Sequence, residues 1–223
     1  MKTEYFNFNG HEATVILPEH PNGKWIWKTE FLDAFDKAEV ELNEMGYTRV
    51  YYQISDMYGN DEAVRLMHNF HLELIKRFNL DKKAYLFGFS RGGLYAFNYA
   101  LYYPEYVEKI YLDAPVLNLK SWPTKDSMEH SQVLERYNLN ETTFENLHFS
   151  PIDKLDEFVK LNIPVLIVAG AIDKTVPHLE NCQIMVDYYK KNNLQIEYVL
   201  KENCDHHPHS LDDTKPIIEF VKK

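Results

Sequence analysis

The chain has 223 residues, 45% of them hydrophobic and 14% aromatic, a size and composition that suit one folded domain with a substantial core and exclude a disordered chain. Acidic residues (34) outnumber basic ones (24), and the formal net charge of −10 excludes the basic footprint that a nucleic-acid partner requires. No apolar run approaches the roughly 20 residues of a bilayer span, the first residues lack a signal-peptide core, and two cysteines imply no disulfide framework, so the sequence predicts a cytoplasmic protein with free thiols, no membrane partner and a small-molecule substrate.

In chain order, extended segments are predicted at 3–8 and 12–17, with Asn9-Gly10 between them as the turn of an edge hairpin. The run 18–28, which contains Trp25 and Trp27, is expected to be a loop, followed by a helix over 31–45 closed by Gly46 and a strand at 49–54. A helix over 61–78 places Val64, Met67, His71, Leu74, Ile75 and Phe78 at helical spacing, as a helix packed on a sheet requires. A strand at 84–89, a helix over 92–103 stopped by Pro104 and a strand at 109–112 continue the alternation. The stretch 118–161 breaks it with short helix-like pieces and several aromatics, and is expected to form a lid inserted within a single domain spanning 1–223. A strand at 164–169, a helix over 179–191, a strand at 195–201 and a helix over 216–223 complete the chain. Such alternation predicts an α/β fold with a mostly parallel central sheet flanked by helices on both faces.

The strongest local signal is Gly88-Phe89-Ser90-Arg91-Gly92-Gly93, set between the apolar run Ala84-Tyr85-Leu86-Phe87 and a helical segment. This is a G-x-S-x-G elbow in its strand-to-helix context, with glycines where the backbone folds back on itself and a Cβ has no room. A serine hydroxyl is a poor nucleophile until a histidine removes its proton, and that histidine must be held in one tautomer by a carboxylate. In sites built on this elbow the order along the chain is serine, acid, histidine. Asp173, in the loop after the predicted strand 164–169, sits where the acid belongs, with Asp113 at the end of an earlier strand in reserve. The base is expected in Cys204-Asp205-His206-His207-Pro208-His209, past the last strand. The backbone N–H of Arg91 is one expected donor to an oxyanion. The second is expected in the loop after Leu17, at Lys24 or Trp25. Trp122, in Ser121-Trp122-Pro123, is expected as a pocket wall, and the histidines beside the base, His207 first, as further pocket residues.

Together these residues resemble the α/β-hydrolase superfamily over nearly the whole chain, and Ser90-Arg91-Gly92-Gly93, Asp113-Ala114-Pro115-Val116, Ser121-Trp122-Pro123 and His206-His207-Pro208-His209 resemble a bacterial group of uncharacterised hydrolases, some in carbohydrate-esterase contexts. The resemblance implies a serine esterase that needs no cofactor, and favours His206, the first histidine after the strand, as the base over His207 and His209. Cys204-Asp205 stands where relatives often carry glycines. Two other functions fit parts of the pattern. A non-catalytic ligand-binding protein would keep the fold without turnover, and a zinc hydrolase would use His206, His207 and His209 as ligands.

Overall fold

The computed structural model of the protein describes residues 2–146 and 148–223. An eight-stranded sheet of order β1-β2-β4-β3-β5-β6-β7-β8 runs through it, antiparallel at β1, β2 and β4 and parallel from β4 onward. Strands β1 (Lys2–Phe8) and β2 (His11–Leu17) form the expected hairpin, and Asn9 and Gly10 both take positive φ, the geometry of a type I′ turn. Strand β3 (Trp25–Lys28) follows, then helix α1 (Lys37–Glu44), β4 (Thr48–Tyr52), α2 (Asp61–Arg77), β5 (Ala84–Phe89), α3 (Gly92–Tyr102) and β6 (Val107–Asp113). After the insertion come β7 (Val165–Gly170), and past it a helix at Cys182–Lys191, β8 (Glu197–Lys201) and a helix at Lys215–Lys222.

Sequence and structure part company at two places. Residues 25–28, expected in a loop, are a fully buried strand between β4 and β5. Trp25-Ile26-Trp27 are strand-favouring residues, but a run of four ending in lysine and lacking alternation is too short to stand out, and its pairing on both sides with β4 and β5 is what fixes it. The helix expected over 31–45 begins only at Lys37, because residues 31–36 form turns in which Phe31 and Phe35 have φ of 59° and 52°.

Period-two alternation sorts the strands between two cores. In β5, Ala84 and Leu86 face α2, α3 and the insertion, whereas Tyr85, Phe87 and Phe89 face α1 and the C-terminal helix. Helices therefore cover both sheet faces. The insertion holds α4 (Met128–Arg136), α5 (Glu141–Asn146) and α6 (Leu155–Phe158), which precede the helices α7 (Cys182–Lys191) and α8 (Lys215–Lys222). It is anchored from below by Phe158, stacked on Phe97 with ring centroids 4.2 Å apart. At its other end α4 lies against the loop after β4: Tyr137 donates to the Tyr58 carbonyl (2.7 Å), Asn60 to the Arg136 carbonyl (2.7 Å), and Tyr58 to Gln132. That loop belongs to the carboxyl edge of the parallel strands, the edge where sheets of this architecture carry their ligand sites. No helix among the described residues is long and apolar enough to cross a membrane.

Candidate active site

Strand β5 ends at Phe89, and the chain turns sharply at Ser90, which takes φ of 49°, into α3. The turn is held from the neighbouring strand: Ser90 N–H donates to the Asp113 carbonyl (2.9 Å), while the Ser90 carbonyl accepts from Gly93 (3.0 Å) and Val116 (2.9 Å). A Cβ on Gly88 would stand 2.9 Å from the Gly92 carbonyl oxygen and 3.0 Å from Ala96 Cβ. Hence the glycine two residues before the serine: strand and helix approach too closely for a side chain.

Two strands along the sheet, β7 delivers Asp173 just past its carboxyl end. Its Oδ1 accepts from the backbone N–H of Thr175 (2.9 Å) and Val176 (2.8 Å), which fixes the carboxylate and leaves Oδ2 pointing at His206. The loop after β8 brings His206 between acid and serine, with Nδ1 2.8 Å from Asp173 Oδ2 and Nε2 3.0 Å from Ser90 Oγ. Asp173 and His206 are both buried, and Ser90 is half-buried. Asp205 ties the two loops together, its Oδ1 accepting from Lys174 N–H (2.9 Å) and His206 N–H (2.8 Å), and these bonds hold its carboxyl below the usual carboxylate range. The backbone carbonyls of Cys204 and Asp205 pack directly against Gly170, where a Cβ would have no room.

The other histidines are placed differently. His209 Nδ1 lies 2.7 Å from Asp113 Oδ1, and Asp113 Oδ2 accepts from Tyr111 (2.6 Å) and Ser210 N–H (2.8 Å). Asp113, the reserve acid, is thus committed to His209. His207 is exposed and stacks on Phe35, with centroids 5.5 Å apart. Ring nitrogens of His206, His207 and His209 all lie within 4.8 Å of one another.

Arg91 follows the serine, and its backbone N–H has no hydrogen-bond acceptor among the described residues. Its guanidinium reaches Asp56 (3.2 Å) and approaches Glu30 (3.6 Å). Burial pushes the Glu30 carboxyl up against the pull of Arg91. Trp25, expected as the second oxyanion donor, is excluded from that role. It pairs with Thr48 at the amino end of β3, while the next residue, Ile26, pairs with Tyr85. Ser90 therefore lies roughly 15–20 Å further along the strands, and the Trp25 indole donates instead to the Asp81 carbonyl (2.9 Å). Lys24, the alternative, precedes it and is further still. The backbone that does meet the elbow is Glu30-Phe31, just past β3: Glu30 N is 3.5 Å from where a Gly92 Cβ would stand, and Thr29 Oγ1 donates to the Gly92 carbonyl (2.8 Å). Recognising 25–28 as a strand is the signal that would have moved the expectation to these residues. Trp122 is half-buried and faces Tyr58, on the loop after β4, with ring centroids 6.2 Å apart.

A family profile described as the alpha/beta hydrolase fold matches residues 47–139. No curated protein matches the chain by sequence. Among solved structures it is similar to the carboxylesterase Cest-2923 from Lactobacillus plantarum, at 14% identity and a TM-score of 0.68, covering 93% of this chain and 85% of that one. It is also similar to a puromycin-hydrolyzing peptidase from Mycobacterium tuberculosis, at 14% identity and a TM-score of 0.70, over 99% of this chain and 37% of that one. The acylaminoacyl peptidase of Pyrococcus horikoshii is 14% identical with a TM-score of 0.74, over 100% of this chain and 42% of that one. The chain thus spans less than half the length of either peptidase.

Proposed function

We propose that this chain, an α/β-hydrolase by fold, is a serine hydrolase that cleaves an ester of a small or carbohydrate-linked substrate through an acyl-enzyme on Ser90. The observation that carries the reading is the unbroken hydrogen-bond chain Asp173 Oδ2, His206 Nδ1, His206 Nε2, Ser90 Oγ, with steps of 2.8 and 3.0 Å. With Nδ1–H donated to Asp173, the Nε2 lone pair of His206 faces the serine hydroxyl and accepts its proton as Oγ attacks the carbonyl carbon. The resulting oxyanion is received by the Arg91 N–H and by backbone of Glu30-Phe31. His206 then protonates the leaving alkoxide, and water, activated by the same imidazole, releases the acyl group and restores Ser90. The reaction needs no cofactor and runs in the cytoplasm on a soluble substrate, with residues 118–161 acting as the lid and Trp122 and His207 as pocket walls.

The direct test is a fluorophosphonate probe on the intact protein, followed by peptide mass spectrometry and an assay with p-nitrophenyl acetate, whose activated leaving group makes few demands on the pocket. Phosphonylation at Ser90 with parallel loss of turnover is the expected result. Turnover that survives while Ser90 stays unlabelled would sink the assignment.

Gly170→Ala gives a second test, remote from the reacting atoms. A Cβ there would stand 2.3 Å from the Cys204 carbonyl oxygen and 2.4 Å from that of Asp205, and both are backbone atoms of the His206 loop. A displacement of about 1 Å at a base costs on the order of 100-fold in rate. The variant is expected to lose about 100-fold in kcat and 1–3 kcal/mol in stability, the cost of overpacking, read by the ester assay and by urea unfolding. Wild-type values for both would show that the loop is not held where it needs to be for this role.

A further inference from the structure

We propose that His206, His207 and His209 form a site for a borderline divalent cation of the zinc class, and that the ion, once bound, silences the enzyme by taking the His206 nitrogen that faces Ser90. The silencing rests on the function proposed above; the site itself does not. One ring nitrogen from each histidine lies within 4.8 Å of the others. Two of the three rings are already set as ligands. His206 and His209 each have Nδ1 held by a buried carboxylate, Asp173 at 2.8 Å and Asp113 at 2.7 Å, so in the neutral ring the lone pair is on Nε2. A carboxylate behind the imidazole is the arrangement that orients and strengthens histidine ligands in metal centres. These two carboxylates also match the charge of one divalent cation, which lowers the cost of placing it against a mostly buried wall.

For His206 the carboxylate serves the triad, but His209 is buried against Phe89 and Phe35, and its Nε2 has no hydrogen-bond partner among the described residues. His207, exposed at the surface, supplies the third ligand. Zinc–nitrogen bonds of about 2.0–2.1 Å in tetrahedral geometry bring ligand nitrogens to about 3.4 Å, and rotation of the exposed His207 ring about its side-chain torsions can close a gap of up to about 1.4 Å. Metal and serine then compete for one lone pair. With zinc on His206 Nε2, no base is left to take the Ser90 proton. This is the reverse of a zinc hydrolase, in which the ion activates the reaction.

The test uses protein freed of metal with EDTA and then dialysed, titrated with ZnCl2 against a chromophoric chelator, with p-nitrophenyl acetate turnover followed in parallel. One zinc per chain with a micromolar or tighter Kd is expected, with turnover falling in step with occupancy and returning on addition of EDTA. His207→Ala, at an exposed position, is expected to bind zinc at least tenfold more weakly, and His209→Gln likewise; inhibition is scored against each variant's own metal-free rate. No zinc retained against the chelator, or equal affinity in wild type and His207→Ala, overturns the site. Zinc bound through these histidines while turnover is unchanged or rises overturns the silencing. If the metal-free protein has no turnover, the chelator titration still decides the site, and the failure belongs to the hydrolase assignment.

Discussion

Ser90→Ala should lower kcat for p-nitrophenyl acetate by about 10⁶-fold, Asp173→Asn by about 10⁴-fold, and the double variant by no more than Ser90→Ala alone. The three groups act as one device: once the nucleophile is gone, a correctly held imidazole has nothing to deprotonate. The aspartate effect follows from its hydrogen bonds. Oδ1 is occupied by the N–H groups of Thr175 and Val176, so Oδ2 alone addresses His206 Nδ1. An amide at 173 either presents an NH₂ to Nδ1, which drives the ring into the tautomer with its proton on Nε2, or flips and loses the turn contacts. In the first case the geometry survives, KM is nearly unchanged and the base is lost. Steady-state kinetics on both single variants and the double, with circular dichroism to establish folding, distinguish these outcomes. An Asp173→Asn variant within tenfold of wild type would mean that some other group orients the base, and Asp113 through the His209 loop would be the next to test.

What the sequence made legible of this site is whatever is written in short, self-contained runs. Gly88-Phe89-Ser90-Arg91-Gly92 declares its elbow because the backbone reversal demands small residues at fixed offsets, and the strand ending at Gly170 announces itself by an unbroken apolar run. His206 is close to Ser90 only because β6, β7 and β8 lie in that spatial order beyond β5, yet its place past the last strand sufficed to nominate it. Other features depend on partners far along the chain. Nothing local distinguishes an aspartate that meets His206 from one that meets His209; Asp173 faces the first and Asp113 the second because of which loop each strand end faces. Strand β3 is the element least visible in the sequence, and with 25–28 as a loop the expected oxyanion donor falls at Trp25. Its burial is decided by the flanking strands β4 and β5, not by its own four residues. The early start expected for α1 has the same root: Phe31 and Phe35 have helical spacing, but the positive φ at both belongs to the turns that carry Glu30-Phe31 onto the elbow.

Two residues upstream of that elbow contact lies a fully buried ion pair, and removing either member should have one of the largest effects on stability of any single exchange outside the site. Lys28 and Glu39 are 2% and 1% exposed and are joined by a direct hydrogen bond. Lys28 also donates to the Ala34 carbonyl (3.1 Å) and lies 3.4 Å from the centre of the Phe89 ring, whereas Glu39 Oε2 has no partner among the described residues. Burial pushes the lysine down and the glutamate up, each opposed by the charge of the other. Removing one member leaves a buried charge alone, which costs about 3–5 kcal/mol, a large part of the 5–15 kcal/mol that typically holds a domain together. Glu39→Leu and Lys28→Met are each expected to lose that much in urea unfolding. The double variant should return to within about 2 kcal/mol of wild type, because a well-packed apolar pair forgoes the desolvation that the ions incur. If the losses simply add, the two residues are not coupled and the pair is not what fixes the carboxyl end of β3. If the double variant recovers stability but not ester turnover, the lysine has a second duty, in holding Thr29 and Glu30 against Gly92, and rescue by Lys28→Arg would separate charge from shape.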